Sequence, residues 1–434
     1  MFFRDPSFQK VGGNQDPVGM VFKGPDGTYY RAVYRSSEEW LKKMLNYSIF
    51  QSLASENLIP PQTVLSIDDD PAYCAAIASK GGFWDLHVSA YPNHIFREAA
   101  LNWIRINEFL LELDDHLGLI DGHYGNFALF EKNRPKWIDM GSIGQLKSKH
   151  QGIAQFIKYF VYPLLVFEHA PEKSSFLRRR IRSPRGGMTE EELATFISDT
   201  SQARVDPAAK RVDVLCQLRL LVESMRFSTG QTFWSSYRPP EFLAKALDEN
   251  ALRNFHDPRP GAVADLIHSI RPRDIIDVGG NDGLFSLISA KTGAAVLTID
   301  RDDFSLKKLS DFVKERPQFD ITVSTQDFKG VEQNAELVLA LALTHHLVLA
   351  QKMDWDAVAE KLSSMSRRAV ITEFMPDGLG GTRTHPAIKP NPLPAHYNLE
   401  NCVAALSKHF STVRVIDYGR VVQYSRRTLL LCTR

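Results

Sequence analysis

Asp277 and Asp300 stand twenty-three residues apart, and just after the first runs Gly279-Gly280-Asn281-Asp282-Gly283. Glycines at the end of a strand let the backbone approach a ligand closely. An acidic side chain about twenty residues further on is spaced to take the two hydroxyls of a ribose. Together they predict a nucleoside cradle made by Asp277, Gly279, Gly280, Asn281, Gly283 and Asp300. Asp327, in STQDF, is placed to accept a hydrogen bond from an adenine amino group, and its plainer reading is a solvated loop aspartate. Further on come Thr344-His345-His346 and, closing AVITEF, Glu373. His345 or His346 could take a proton from a hydroxyl, because an unperturbed imidazole titrates near the working pH. The competing reading packs one histidine under a sheet and caps a strand end with the other. Glu373 would orient an acceptor or simply bond backbone amides.

A dinucleotide-binding unit shares the glycine turn and the ribose acid, but its GxGxxG fingerprint needs a middle glycine to admit a pyrophosphate. Asn281 stands at that position. S-adenosylmethionine (SAM) has no pyrophosphate, so the DxGxNxG spelling points to SAM as the cofactor.

The elements that must carry these residues are legible from Arg259 onward. RDIIDV, LFSLISAK, AAVLTID, SLKKLSDFVKE, DITVSTQ, ELVLALALTHHL, WDAVAEKLSSM, AVITEF and LENCVAALSKHF alternate between strand and helix. Such alternation predicts a parallel sheet with helices on both faces. TVRVIDYG and RTLLLCTR have no helix between them and read as an antiparallel hairpin. Five parallel strands closed by a hairpin make the seven-stranded, Rossmann-like α/β sheet of class I SAM methyltransferases, with the two histidines where a methyl acceptor approaches the sulfonium.

In the N-terminal half, GMVFKGPDGTYYRAVY reads as two strands around a Pro25-Asp26-Gly27 turn, followed by a helix over SEEWLKKMLNYSIFQSL. A second helix from about Asn93 carries Phe96, Ala99, Trp103, Ile106, Leu110 and Leu113 at helical spacing and is expected to stop at Gly118. Asp121 precedes Asn126 by five residues, and Asn126 precedes Asp139, in IDMG, by thirteen. That is the spacing of a kinase catalytic loop and its metal-holding Asp-x-Gly, so the expectation is an α+β kinase-like domain. Active phosphoryl transfer would use ATP with magnesium at Asn126 and Asp139, and a lysine on the third strand paired with a helix carboxylate such as Glu38 or Glu39. Arg31 stands in the lysine's place, with Lys23 on the preceding strand, and arginine lacks the point geometry of lysine. ATP and magnesium are therefore not the favoured cofactors, and the lobe is expected to recognise an acceptor or support the other half.

At 434 residues, 44% apolar and 24% charged, the chain is too long for one core and too apolar for disorder. The expected division is a kinase-like domain over 1–170, a helical connector or extension over 171–258, and a methyltransferase domain over 259–434. Lys+Arg at 52 against Asp+Glu at 51 leaves +1, and no NPPY-type element follows the fourth strand, so no nucleic-acid partner is expected. Four scattered cysteines with no CxxC support neither a zinc site nor a disulfide framework and fit a reducing cytoplasm. MFFRDPSFQK lacks the apolar run of a signal peptide, and FVYPLLVF is under half a membrane span, so a cytoplasmic chain without a membrane span is expected. In the middle, FLRRRIRSPRGG reads as a solvated basic loop, with meeting phosphates on a glycan or lipid carrier as the alternative, and Thr189-Glu190-Glu191-Glu192 as a capping box.

ELVLALALTHHLVLAQKMDWDAVAEKL, then ITEFMP and RTLLL, resembles a bacterial family of class I SAM-dependent methyltransferases related to the nodulation protein NoeA. Upstream, that family's LKDASPYNxQF and PxFID are similar to the stretch from Asp121 to Asp139, which here is spelt GHYG in its middle, and Thr232-Phe233-Trp234-Ser235-Ser236-Tyr237 resembles the family's TxWxxY. The resemblance implies O-methylation of a sugar, glycan or related small metabolite, within surface-polysaccharide synthesis. The alternative is a bifunctional enzyme that phosphorylates a polysaccharide end and then methylates that phosphate.

Overall fold

Asp26 accepts hydrogen bonds from the Thr28 N–H (3.1 Å) and hydroxyl (2.6 Å), and Gly27 turns the chain at φ 79°, so the expected hairpin closes where Pro-Asp-Gly stands. Its strands, β2 (Gly19–Lys23) and β3 (Thr28–Tyr34), lie in a five-stranded antiparallel sheet with β1 (Gln9–Val11), β4 (Thr63–Ser66) and β5 (Tyr73–Lys80), in the order β1-β2-β3-β5-β4. The computed structural model describes residues 3, 5–11, 16–68, 70–183, 187–227, 241–248, 252, 257–381, 392–418 and 427–434. Two units divide the chain, Met1–Ser228 and Thr229–Arg434, so the connector expected over 171–258 is shared between them. The TxWxxY stretch lies outside the described residues.

Between β3 and β4 the expected single helix is two, α1 (Glu38–Asn46) and α2 (Ile49–Ser55), because Ser48 adopts φ 51° and breaks the hydrogen-bond ladder. Helix α3 (Asn93–Leu113) buries Phe96, Ala99, Trp103, Ile106 and Leu110 completely. It stops at Leu113 rather than Gly118, since Asp114 is extended (φ −162°, ψ 123°) and Gly118 belongs to the short strand β6 (Leu117–Leu119). Strand β6 pairs with β9 (Ile143–Gln145), and β7 (Phe127–Phe130) with β8 (Arg134–Trp137). Trp103 stacks on Phe156 at 4.3 Å and donates its indole N–H to the Asp121 carbonyl (3.0 Å), so the α3 core fixes the floor of the Asp121 loop.

Helices α4 (Ile153–Phe156), α5 (Tyr162–His169), α6 (Ser174–Ile181), α7 (Glu190–Ala194) and α8 (Arg211–Ser224) complete this unit, with a π-helical turn at Ile157–Val161. The first half of the basic run, 176–181, is helix rather than the expected solvated loop. It belongs to α6, where Arg178 donates to the Ser89 and Tyr91 carbonyls and Arg180 grips Glu192 through both carboxylate oxygens (2.6 and 2.7 Å). Glu192 closes the expected capping box with Thr189.

The second unit starts with α9 (Glu241–Ala246) and α10 (Arg259–Ile270). There follow β10 (Asp274–Val278), α11 (Leu284–Ala290), β11 (Ala295–Ile299), α12 (Asp303–Lys314), β12 (Ile321–Ser324) and β13 (Ala335–Ala340). Then come α13 (Trp355–Met365), β14 (Ser366–Phe374), α14 (Leu399–Ser407), β15 (Thr412–Ile416) and β16 (Thr428–Thr433). The sheet order is β12-β11-β10-β13-β14-β16-β15, with β10 to β14 parallel and β16 inserted antiparallel between β14 and β15. This is the class I methyltransferase arrangement expected from the alternation. The chain moves outward from β10 to β12 and then restarts on the other side of β10, which opens a crevice at the carboxyl ends of these strands.

At the opposite edge, charge closes the sheet. Asp274 holds Arg367 through both oxygens (2.7 and 2.6 Å) and accepts the Glu336 N–H. Glu336 receives Arg273 (2.7 Å) and Arg368 (3.1 Å). Among the described residues no helix is long and apolar enough to cross a membrane.

Candidate functional site

Gly279 and Gly280 donate their N–H groups to the Ile299 carbonyl (2.8 and 3.2 Å), which locks the turn after β10 against the end of β11. Gly279 and Gly283 sit at φ 73° and 87°, a region that side chains disfavour. A Cβ on Gly280 would meet the Thr298 methyl at 2.5 Å, and one on Gly283 a Leu309 methyl at the same distance. Glycine at these two positions thus lets the turn pack closely on β11 and α12. Asn281 follows at φ 50°.

Asp277 is buried beneath this turn, where its carboxylate accepts the Ser286 hydroxyl (2.6 Å) and Ser286 in turn accepts Thr298 (2.7 Å). Its place is to brace the turn onto α11 and β11. Asp300 is half-buried and accepts the N–H of Asn281 through one oxygen and of Asp302 through the other, both at 2.8 Å. The Arg301 amide bonds the same carboxylate, and three amides against about four lone-pair sites leave acceptor capacity for a ligand hydroxyl. Burial pushes the Asp300 carboxyl above the usual aspartate range, and the Asp302 and Asn281 amides pull it back. Asp327 is exposed and caps its own turn, accepting the Gly330 N–H at 2.7 Å.

The two histidines separate sharply. His345 is 2% exposed, its Nδ1 meets no hydrogen-bond partner among the described residues, and its pKa is pushed down to about 3 by burial, then by His346 and Arg427. His346 is half-exposed and opens a π-helical turn, His346–Ala350, a distortion often found at functional sites. Burial lowers its pKa below the ordinary imidazole value, so its ring is neutral at neutral pH. The rings lie 4.1 Å apart.

Glu373, fully buried at the end of β14, is held by Arg259 (3.0 Å) and by the N–H of Ala342 (2.8 Å), which has φ 52°. Arg427 reaches the same oxygen at 3.5 Å, and Asp257 pairs with Arg259 at 3.3 Å. Thr344 donates its hydroxyl to the Glu373 carbonyl. These bonds fix the loop that presents His346. Sequence reasoning missed Arg259 and Arg427, since neither lies in a motif or at a telling spacing from Glu373.

In the first unit, Asp16, Pro17, Ile120, Asp121, Asp139, Gly141 and Ser142 line a cavity of about 370 Å³. The Asn126 amide donates to Asp121 (3.1 Å), and Asp121 and Asp139 share the cavity lining, so the three predicted residues lie together. Asp139 receives Arg31 (2.6 Å), a buried guanidinium also paired with Asp16, a residue no motif singled out. Burial raises the Asp139 pKa and lowers that of Arg31, with their mutual attraction opposing both shifts. Among the described residues no group of three or more His, Cys, Asp or Glu is arranged to hold a metal ion.

No protein-family model matches the chain. It is similar to nodulation protein NoeA of Rhizobium meliloti (strain 1021), 24% identical over 355 residues that span 69% of this chain and 70% of that protein. Among solved structures, magnesium protoporphyrin IX methyltransferase from Synechocystis PCC 6803 with bound SAM is 14% identical at TM-score 0.31, over 47% of this chain and 98% of that one. The bifunctional kinase-methyltransferase WbdD is 19% identical at TM-score 0.29 over 47% of this chain, which spans about two-fifths (42%) of WbdD.

Proposed function

We propose that the second unit is a SAM-dependent methyltransferase that acts on a hydroxyl of a sugar, glycan or related small metabolite. The observation that carries this reading is the glycine turn after β10, with Gly279 and Gly283 at positive φ, beside a half-buried Asp300 whose carboxylate keeps acceptor capacity for a ligand hydroxyl. SAM, when bound, supplies an electrophilic methyl group on a sulfonium. Gly279, Gly280 and Gly283 admit the cofactor to the backbone, and Asp300 takes a ribose hydroxyl. His346 is the base: neutral, half-exposed and on the loop after β13, it accepts the hydroxyl proton as the acceptor attacks. His345, buried and too weakly basic, is a packing residue. Glu373, Arg259 and Thr344 hold the loop that positions His346. Incubation of the full chain with SAM and extracted cell glycans, followed by mass analysis, tests the reading. A gain of one methyl group supports it, and the absence of any methylated product overturns it.

The first unit is read as a kinase-like lobe that recognises the acceptor or supports the second unit without transferring phosphate. Support comes from the ion pair between Arg31 and Asp139, which commits to each other the two side chains a phosphoryl transferase would need for phosphate and metal.

A further inference from the structure

Within the kinase-like reading of the first unit, on which this inference rests, we infer that Asp16 is a tethered anion that seats itself on Arg31 and shuts the cavity to phosphate-bearing ligands. It acts as a strap that must be displaced before the lobe can take one. Arg31 lies on β3, the middle strand of the five-stranded sheet, and is 8% exposed. Asp139 already gives it a full counter-charge at 2.6 Å, and Asp16 brings a second carboxylate to the same guanidinium through Nη1. Asp16, Asp139 and Gly141 line the cavity, and Arg31 sits behind that wall rather than in it. Gly141 has no side chain to interpose, since a Cβ there would lie 2.7 Å from Nη1 of Arg31 and 2.8 Å from Oδ1 of Asp16. The Asp16 carboxylate is therefore what stands between the cation and the open cavity on that side.

Charge makes that seat contested. Asp16, Asp121 and Asp139 all line the cavity and none of the seven lining residues is cationic, so one buried guanidinium answers three carboxylates. A phosphate entering beside them is repelled unless it replaces Asp16. It then gains a guanidinium, whose planar fork suits phosphate as well as carboxylate. Asp16 can leave at modest cost. It stands in the connection from β1, a wholly exposed edge strand of three residues, to β2. Locally it accepts the Val18 N–H at 2.9 Å, and the Pro17 carbonyl accepts the Ser37 hydroxyl at 3.3 Å in an exposed contact. Segments held by few buried contacts open locally at free energies well below that of global unfolding. Arg31 is not left unpaired by the opening, because Asp139 remains.

The experiment is calorimetry on the full chain with tripolyphosphate and with ATP, both in magnesium, which offsets Asp121 and Asp139. The wild type is expected to bind either one weakly. Asp16→Asn keeps an oxygen for Val18 and should bind both roughly 10- to 1000-fold more tightly, the penalty lifted when a competent state is otherwise populated at about 0.1–10%. Adding Arg31→Gln to that variant should abolish the gain. Unchanged affinity for both probes in Asp16→Asn at a wild-type melting temperature overturns the inference, and so does a gain that survives Arg31→Gln. Asp16→Ser, which also offers Val18 an oxygen, takes its place should the Asn variant melt early. The kinase-like reading fails separately: a gain for tripolyphosphate with no preference for ATP over it leaves the strap standing and denies the lobe a nucleotide site. ATP bound as tightly by the wild type as by Asp16→Asn upholds that reading and removes the strap.

Discussion

Arg259, in the first turn of α10, places its guanidinium 3.0 Å from the carboxylate of Glu373 at the far end of β14, and the two side chains are 8% and 0% exposed. An ion pair this deep is not by itself a source of stability, because both charges have left water. Its effect is geometric: the same carboxylate accepts the Ala342 N–H, so the pair pins the loop after β13 to the strand beside it.

Removing the carboxylate should therefore cost the fold more than it costs binding. Glu373→Ala is expected to destabilise the second unit by about 3–5 kcal/mol, the range for breaking a buried pair. Glu373→Gln, which still offers an oxygen to Ala342, should lose less. Urea unfolding of the two variants checks this, and equal, near-wild-type midpoints would deny the pair its structural role.

Asp300→Ala should weaken S-adenosylhomocysteine by roughly 1.5–3 kcal/mol, the scale of hydrogen bonds to a charged group. The wild-type affinity should also depend on pH with a definite sign. Burial raises the Asp300 pKa, so the ionised acceptor is present above that value and lost as pH falls through it, earlier than for an ordinary aspartate. In Asp300→Asn that dependence should vanish. Calorimetry between pH 4 and pH 8 reads both effects.

The histidines make opposite predictions. His346→Gln should lower methyl transfer roughly a hundredfold or more while leaving cofactor affinity nearly intact. His345→Gln should change stability instead. Its folded pKa of about 3 lies below the unfolded 6.5, so the unfolded chain binds more protons between those values. Stability is then present above pH 6.5 and drains away as pH falls toward 3, a slope that the Gln variant should flatten. A His345→Gln enzyme with lost turnover and an unchanged acid profile would reverse the two roles.

Much of the second unit is legible in the sequence, for a physical reason. Apolar runs such as DIIDV and AVLTI are short, wholly buried and separated by amphipathic helices, and parallel sheets advertise themselves this way. The glycine turn and Asp300 were equally visible because they are close in sequence and fixed by local backbone demands. What escaped is what register decides. Arg259 meets Glu373 across 114 residues and Arg31 meets Asp139 across 108, and no spacing rule encodes such pairs. The break at Ser48 and the early end of α3 at Asp114 are single-residue backbone choices that tertiary packing imposes on otherwise helical patterns.

For the first unit, ATP consumption in the presence of acceptor and magnesium should be negligible in the wild type and unchanged in Asp139→Ala, with methyl transfer intact. Acceptor-dependent ADP release that disappears in that variant would instead establish the bifunctional enzyme. Arg31→Ala offers a second reading: it leaves Asp16 and Asp139 without their shared cation and should lower the melting temperature.

Acid should loosen the second unit from the edge opposite the crevice. The Arg273 backbone N–H, its guanidinium and Arg368 hold the Glu336 carboxyl down at about 2, below the unfolded 4.5. Stability from these bonds is present above pH 4.5 and lost as pH falls through 2. Thermal melts across that window should show a slope that Glu336→Gln abolishes.

Because the ionic clamp of Asp274, Glu336, Arg367 and Arg368 and the proposed chemistry occupy opposite rims of one sheet, this scaffold lends itself to remodelling. Exposed side chains on the carboxyl rim, such as Ala350, can be varied without touching the ionic clamp, whereas Ala342 and Thr344 tie their loop to Glu373 and have to stay. A laboratory seeking a new acceptor specificity would randomise the carboxyl rim and leave the amino rim alone, and natural lineages of such proteins face the same asymmetry of permitted change.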